Sequence, residues 1–371
     1  MGGCSMKKFR YVGGLAVLGA VWLGLTAFCW AKPADNVSES ERRPLAEFPE
    51  LSAQTVLSGD FMSDFEKYSL DQFPLRDSFR TLKSFNTFYV FSQKENNGIY
   101  IEDGYAAKLE YPLNEQSVLS AVDKFRRIYD LYLAETDAKV YVSVVPDKGC
   151  FLARQNGYPS LDYEELFSLV RDNADFAEYI HIADRLEFGD YYRTDTHWRQ
   201  EKISDVAHYL AEAMGAGSLD GDYTVMTADV PFYGVYYGQS ALPLGSERIK
   251  YLVNPTLEAC TVYNAETGKT GGIYDFDKLA GRDPYEFFLS GSAPLLVIDN
   301  PLAATDRELV IFRDSFGSSL APLLTEAYSK VTLIDTRYIS TDLVGDYVKF
   351  DNQDILFIYS TLILNSSTVL K

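Results

Sequence analysis

Two short runs hold the residue types that acyl-transfer chemistry requires. Residues 191–200 read YYRTDTHWRQ, so Asp195 stands two before His197, one of only three histidines in the chain. Residues 309–322 read LVIFRDSFGSSLAP, with Ser315 where a β-branched and aromatic run gives way to a helical pattern. A serine hydroxyl is a weak nucleophile until an imidazole takes its proton, and the imidazole needs a carboxylate to fix its tautomer and stabilise its charge. A helix N-terminus behind the serine would aim N–H groups at a developing oxyanion, an effect worth about 3–4 kcal/mol in acyl transfer. Each run also has a plainer reading, because Asp195, Thr196, Asp314 and Ser315 are all residue types that cap helices. Capping explains neither His197 nor Trp198. No G-x-S-x-G surrounds Ser315.

The other two histidines compete poorly. His181 alternates within YIHIAD and reads as a strand histidine. His208 is three helical turns beyond His197, about 16 Å along an axis, and reads as a packing or surface residue. No HExxH, cysteine cluster or histidine tract suggests a metal, and Asp220, Asp222, Asp275 and Asp277 lack the ligand spacing of a calcium loop. They read as turn residues. Neither GxxxxGK[ST] nor GxGxxG occurs, so no nucleotide, and no cofactor of any kind, is expected.

The elements that must position the two runs alternate along the chain. Helical EQSVLSAVDKFRRIYDLYLAE precedes strand KVYVSVVPDK; helical LDYEELFSLVRDN precedes strand YIHIADRL, and HWRQEKISDVAHYLAEAMG reads as the next helix. Later come strand ELVIFRDS, helix FGSSLAPLLTEAYS, and strands KVTLIDT and DILFIYS. Five apolar runs alternating with helices predict a parallel sheet covered on both faces. Ligands gather at the carboxyl ends of such strands, where both DTHW and RDSF fall. The rhythm lapses at about 216–306, a predicted insertion of loops and hairpins. Upstream, NGIYIEDGYAAKLEYP carries a hairpin signal, and residues 61–93 read as amphipathic helices broken near Pro74.

Composition narrows the setting. The formal charge is −19, and Lys7, Lys8 and Arg10 are the only charges before residue 32, leaving −19 − 3 = −22 beyond Ala31. Such a surface repels phosphate backbones, so nucleic acid is not an expected partner. Residues 11–31 carry no charge and are long enough to span a bilayer. Their basic flank predicts residues 1–10 on the cytoplasmic side, a signal anchor at 11–31, and the rest outside the cell. A cleaved signal peptide competes, although Cys29-Trp30-Ala31 is a mediocre cleavage site. The polar, proline-interrupted stretch from residue 32 reads as a connector that leads through a helical segment to about residue 100, with the α/β domain over 101–371. Of the four cysteines, Cys150 and Cys260 could bridge outside the cell but show no framework spacing; free thiols are the simpler expectation.

With these motifs in order, the chain resembles the DHHW family, which is similar to the alginate O-acetylation (AlgX/AlgJ-like) proteins. The runs that carry the resemblance are ESERRPLAEFPELS, SLDQFPLRDSF, NGIYIEDGY, VVPDK, RTDTHW, DPYEFFLSG, LVIFRDSFGSSLAPLL and ILFIYSTLILNSS. It implies an SGNH-hydrolase-like (flavodoxin-like) α/β sheet, permuted because Asp and His precede Ser. It implies Ser315 as nucleophile, His197 as base and Asp195 as its orienting carboxylate. The activity implied is O-acetylation or deacetylation of a cell-surface polysaccharide, with a membrane-bound O-acyltransferase as acetyl supplier. Thr196 replaces the first histidine of DHHW, and Arg313 stands where ordinary SGNH enzymes keep the Gly of GDS. Gly317 and Asn365 are the candidates for the oxyanion site, with Lys148, Trp198 and Arg313 as further lining candidates. A carbohydrate esterase and a non-catalytic glycan- or partner-binding envelope protein are the alternatives.

Overall fold

The computed structural model describes residues 3–219 and 221–371, with side chains from residue 11 onward. Cys4, the basic flank of the expected cytoplasmic segment 1–10, and Asp220 therefore lie outside the described side chains. The chain divides into two compact units. One reaches to Gln93 and takes in Ala241–Pro243; the other holds Lys94–Ser240 and Leu244–Lys371.

The first unit is helical. Helix α1 (Gly3–Ala31) contains a 21-residue stretch, Tyr11–Ala31, of mean hydropathy 2.0 with none of it buried, long and apolar enough to cross a membrane. Helices α2 (Ala53–Ser58), α3 (Asp60–Asp71) and α4 (Arg76–Phe85) follow, the last running on into a wider turn at Asn86–Val90. Ser52 starts α2 by accepting the Thr55 N–H at 3.2 Å. The break expected near Pro74 falls between α3 and α4, where Leu75 adopts a left-handed φ of 57°.

The second unit begins with a hairpin, β1 (Ile99–Glu102) and β2 (Tyr105–Lys108), turning at Asp103-Gly104 with both φ angles positive. That pair of angles is what an Asp-Gly turn supplies. Then come α5 (Glu115–Ile128), β3 (Lys139–Val145), α6 (Tyr163–Asn173), β4 (Glu178–Tyr179) and α7 (Ser204–Ala213). The region expected as an insertion holds β5 (Thr224–Thr227), β6 (Lys250–Val253), β7 (Thr261–Asn264), β8 (Lys269–Gly271) and β9 (Leu295–Asp299). The chain closes with β10 (Glu308–Arg313), α8 (Gly317–Leu324), β11 (Lys330–Ile334) and β12 (Asp354–Ser360).

The main sheet has eight strands in the order β8-β7-β9-β11-β10-β12-β3-β4. The five strands β11, β10, β12, β3 and β4 are mutually parallel, as the alternation predicts. The expectation of about five strands needs correcting, because β9, β7 and β8 extend the same sheet antiparallel. The supposed insertion is thus partly sheet edge, and its strand β9 was hidden behind the Gly-Ser-Ala-Pro run before it. Two further boundaries move. Strand YIHIADRL shrinks to Glu178–Tyr179, leaving His181 outside the sheet and about one-third exposed. The helix expected from His197 onward starts at Ser204, after a short turn at Gln200–Lys202. Asp195 and Thr196 therefore cap nothing.

Alternation along the strands builds the two cores. Leu309, Ile311, Leu356 and Ile358 pack with α7 and α8, whereas Val310, Phe312, Phe357 and Tyr359 pack with α5 and α6. Both faces are dry, so β12 is buried at every residue. Each fully buried large apolar side chain contributes about 1.5–3 kcal/mol. This rigid slab fixes the carboxyl ends of β10, β12 and β3, from which the next residues emerge.

Candidate functional site

Ser315 lies two residues past the end of β10. The turn that carries it is held from three sides. Asp314 accepts the Phe316 N–H on Oδ1 at 3.0 Å and the Ser360 N–H, at the end of β12, on Oδ2 at 2.8 Å. The Gly317 N–H donates to the Asp314 carbonyl at 3.1 Å, which starts α8. Thr361, next after β12, donates to Asp147 Oδ2 at 2.6 Å, and Tyr163 and the Gly149 N–H also serve that carboxylate. Asp147 is buried, which raises its pKa despite these donors. Neighbouring strand ends are thus stitched together just beyond the sheet.

The DTHW run sits on a tight loop closed by a β-bridge between Tyr191 and Trp198, with the Tyr192 N–H donating to the His197 carbonyl at 3.0 Å. His197 Nε2 is 2.7 Å from Ser315 Oγ, and His197 Nδ1 is 2.6 Å from Asp195 Oδ1. Asp195 Oδ1 also accepts the His197 N–H at 3.1 Å, and Oδ2 accepts the Val235 N–H at 2.9 Å. Asp195 and His197 are buried, while Ser315 keeps partial exposure. This is an unbroken Asp–His–Ser chain of hydrogen bonds that joins residues 118 apart in sequence, partly exposed at the serine.

The remaining candidates from the sequence take different places. Trp198 is fully buried and lines no open cleft; its indole N–H is shared between the Phe316 carbonyl at 3.1 Å and Ser319 Oγ at 2.9 Å. It ties the histidine loop to the serine turn. Lys148, read as a lining candidate, is also buried. Its ammonium donates to the carbonyls of Ala106, Tyr192 and Arg193, and burial draws its pKa down to about 7 although Asp195 and Glu247 oppose this. Lys148 therefore braces the backbone entering DTHW. Arg313 is wholly buried under the turn, its Nη1 donating to Ser318 Oγ at 3.0 Å and to the Asp314 carbonyl at 3.2 Å. Desolvation lowers its pKa, with Asp335 opposing. A Cβ at Gly317 would meet the Arg313 side chain at 2.8 Å, so glycine lets α8 start directly above the guanidinium stem.

The oxyanion candidates are committed elsewhere. The Gly317 N–H is held by Asp314, and the Asn365 amide donates to Pro112 O at 3.3 Å and Glu110 Oε2 at 3.4 Å while its Oδ1 accepts the Asn114 N–H. Asn365 fastens the chain before α5, not the serine turn. The thiols of Cys150 and Cys260 are free, and burial pushes that of Cys150 up to about 12. Asp275 accepts the Asp277 N–H at 3.2 Å in a turn, and His208 pairs with Glu212 on a half-exposed helix face.

Three contributors escaped sequence reasoning. Tyr285 lies flat on the imidazole of His197, ring centroids 3.8 Å apart and planes 4° from parallel, with its hydroxyl 2.8 Å from Ser319 Oγ. Gln200 bridges Ser319 O and the Leu252 N–H, joining the serine helix to β6. Gly234 packs so closely on Asp195 that an added Cβ would overlap that residue's N, Cα and Cβ. Tyr285 stands in the run DPYEFF, and Gly234 in the run FYGVYYG, whose glycines interrupt an aromatic stretch; only the latter is a local signal. In that stretch Tyr236 is buried, with the Lys148 ammonium over its ring.

Fold and site together define a mixed α/β protein with a Ser–His–Asp chain of hydrogen bonds beyond the carboxyl end of β10, a central strand of a mostly parallel sheet. Among solved structures this architecture is similar to a DHHW family protein from Eubacterium siraeum, with a TM-score of 0.59 and 18% identity over 75% of this chain and 97% of that one. It is similar also to PatB1 of Bacillus cereus, with a TM-score of 0.57 and 18% identity over 72% of this chain and 96% of that one. The latter is known with a sulfonyl adduct as well. The O-acetyltransferase domain of Pseudomonas putida AlgJ is more distant, with a TM-score of 0.45 and 12% identity over 72% of this chain and 92% of that one. No protein-family model and no curated protein sequence matches the chain.

Proposed function

We propose that the chain is an extracytoplasmic O-acyltransferase, anchored in the cell membrane by Tyr11–Ala31, that moves an acetyl group onto a cell-surface polysaccharide through an acyl-serine. The observation that carries this reading is the relay itself: 2.7 Å from Ser315 Oγ to His197 Nε2 and 2.6 Å from His197 Nδ1 to Asp195 Oδ1. His197 takes the hydroxyl proton on Nε2 as Ser315 Oγ bonds to the acyl carbonyl carbon. The imidazolium forms against Asp195, which the Val235 N–H holds in line. Collapse of the tetrahedral intermediate breaks the bond to the donor's leaving oxygen, which receives the proton from Nε2. A glycan hydroxyl then gives its proton to His197 and attacks the acyl-serine, and Ser315 leaves with that proton restored. The acetyl donor in this scheme is supplied by a membrane-bound O-acyltransferase. The family resemblance of RTDTHW and LVIFRDSFGSS supports the same chemistry.

Labelling with a fluorophosphonate or a sulfonyl fluoride tests the nucleophile: Ser315 is the expected adduct site, and S315A the unlabelled control. D195N should slow acylation by about 10⁴-fold while leaving the fold intact, as loss of tautomer control does in such relays. Folded protein that never labels at Ser315 would favour the alternative, a non-catalytic glycan- or partner-binding protein. Following a soluble acetyl ester with and without a glycan acceptor separates transfer from hydrolysis; hydrolysis that no acceptor diverts identifies an esterase.

A further inference from the structure

In the first unit helix α4 and its continuation, which follow the membrane segment, turn most of their apolar side chains outward. Helix α4 and its continuation bury Ser84 and Thr87, whereas Phe79, Leu82, Phe85, Tyr89, Val90 and Phe91 are 44–69% exposed. Their three- and four-residue spacing puts most of them on one face. Arg76 and Arg80, which a soluble helix would turn to water, are instead paired with Glu41 on the inner side. Helices α2 and α3 bury no residue at all, and Leu57, Met62 and Leu70 are 64–88% exposed. Short helices are not held in water by propensity alone; an amphipathic face must be covered by something.

The place of this face names the cover. Gln72, which ends α3, is buried and locked to Asp35, four residues beyond the last residue of α1. The Asp35 N–H donates to its Oε1 and its Nε2 donates to the Asp35 carbonyl, both at 2.8 Å. Cys29, inside α1, also reaches the Gln72 carbonyl, at 3.9 Å. The α3–α4 junction is therefore fixed to the point where an apolar 21-residue segment leaves its bilayer, beside Trp30, which is 85% exposed. Tryptophan and tyrosine settle at the headgroup level, where one side of a ring is apolar and the other wet. A helix that starts at that level with aromatics on its outer face meets lipid first. Arginines turned away from that face, and held by carboxylates, remove the cost of bringing charge to it.

We infer that residues 75–91 lie on the membrane surface as an interfacial helix, so that the first unit has two attachments to one bilayer: the spanning segment and this apolar face. The inference rests on the anchor reading of Tyr11–Ala31. It predicts that the unit behind the membrane helix is not a loose tether but a foot pressed on the lipid.

The test uses the full chain in phosphatidylcholine vesicles, with benzoylphenylalanine replacing one aromatic residue at a time: Phe85, Trp22 within α1, and Phe276, which is 58% exposed on the second unit. Each exchange keeps an aromatic ring at an exposed position, so folding is retained. After irradiation, mass spectrometry is expected to find lipid adducts at 85 and 22, each read against the yield at 276. Adducts at 22 with none at 85, or adducts at 85 to a second copy of the chain, overturn the surface helix and leave the anchor standing. No lipid at 22 overturns the anchor itself.

Discussion

Replacing Gly234 with alanine asks whether the inserted region sets the geometry of the relay. The added methyl would overlap Asp195 N, Cα and Cβ, far inside the 3.4 Å where ordinary contact begins, so the two backbones must part by about 1 Å. No rotamer change relieves this, because the atoms met are backbone and the first side-chain carbon. Parting the segments strains three bonds of 2.9 Å: Gly234 N–H to Thr194 Oγ1, Tyr236 N–H to the Thr194 carbonyl, and Val235 N–H to Asp195 Oδ2. The last is the bond that aims the carboxylate. Overpacking of this kind costs about 1–3 kcal/mol in stability, and a misplacement approaching 1 Å in a reacting group costs about 100-fold in rate. G234A should therefore cut the rate of fluorophosphonate labelling at Ser315, and of acetyl-ester turnover, by about 10- to 100-fold. The protein should remain folded by circular dichroism with a lowered melting temperature. Labelling at the wild-type rate in a folded G234A protein would refute the argument that this loop holds Asp195 in place.

Two further outcomes follow from the same geometry. W198F removes the indole N–H shared by Phe316 O and Ser319 Oγ, leaving buried acceptors short of a donor; urea denaturation should show a loss of about 1–3 kcal/mol, and an unchanged midpoint would deny Trp198 its bracing role. Lys148 releases its proton near pH 7 when folded and near 10.5 when unfolded. Across that window the unfolded chain holds the extra proton, so this residue makes stability rise with pH. The melting temperature of the wild type relative to K148M should therefore climb between pH 7 and pH 10. Parallel profiles for the two proteins would show that Lys148 does not titrate in the folded state.

The two runs that the structure joins were legible because their residue types form local patterns. Asp195 and His197 are two residues apart, and a carboxylate that near an imidazole announces itself. Ser315 stands where LVIFR must end, since a buried strand of β-branched and aromatic residues cannot continue through Asp-Ser. Four of the five parallel strands showed because each is an apolar run; the fifth, β4, is only Glu178–Tyr179 and overlaps its expected run at one residue. Strand β9 did not, because LLVID sits behind turn residues in a region with no rhythm, and its antiparallel pairing to β11 is chosen by an edge that only the assembled sheet offers. The lining residues were misjudged where burial decides role. Lysine, arginine and tryptophan read from sequence as groups for a cleft, yet Lys148, Arg313 and Trp198 are buried, and the Lys148 ammonium, Arg313 Nη1 and the Trp198 indole N–H donate to backbone carbonyls and serine hydroxyls.

What the sequence by itself determined is the set of candidate residues, the parallel strands that carry the serine, and the apolar segment at the N-terminus. Those depend on neighbours in the chain and on periodicity. Tertiary structure alone decided that Ser315 and His197 meet, that Tyr285 lies on the imidazole, and that Gly234 leaves room for Asp195. Each of these is a contact between segments dozens of residues apart or more, and such contacts are set by how sheet edges and inserted loops pack, a constraint that no local pattern records.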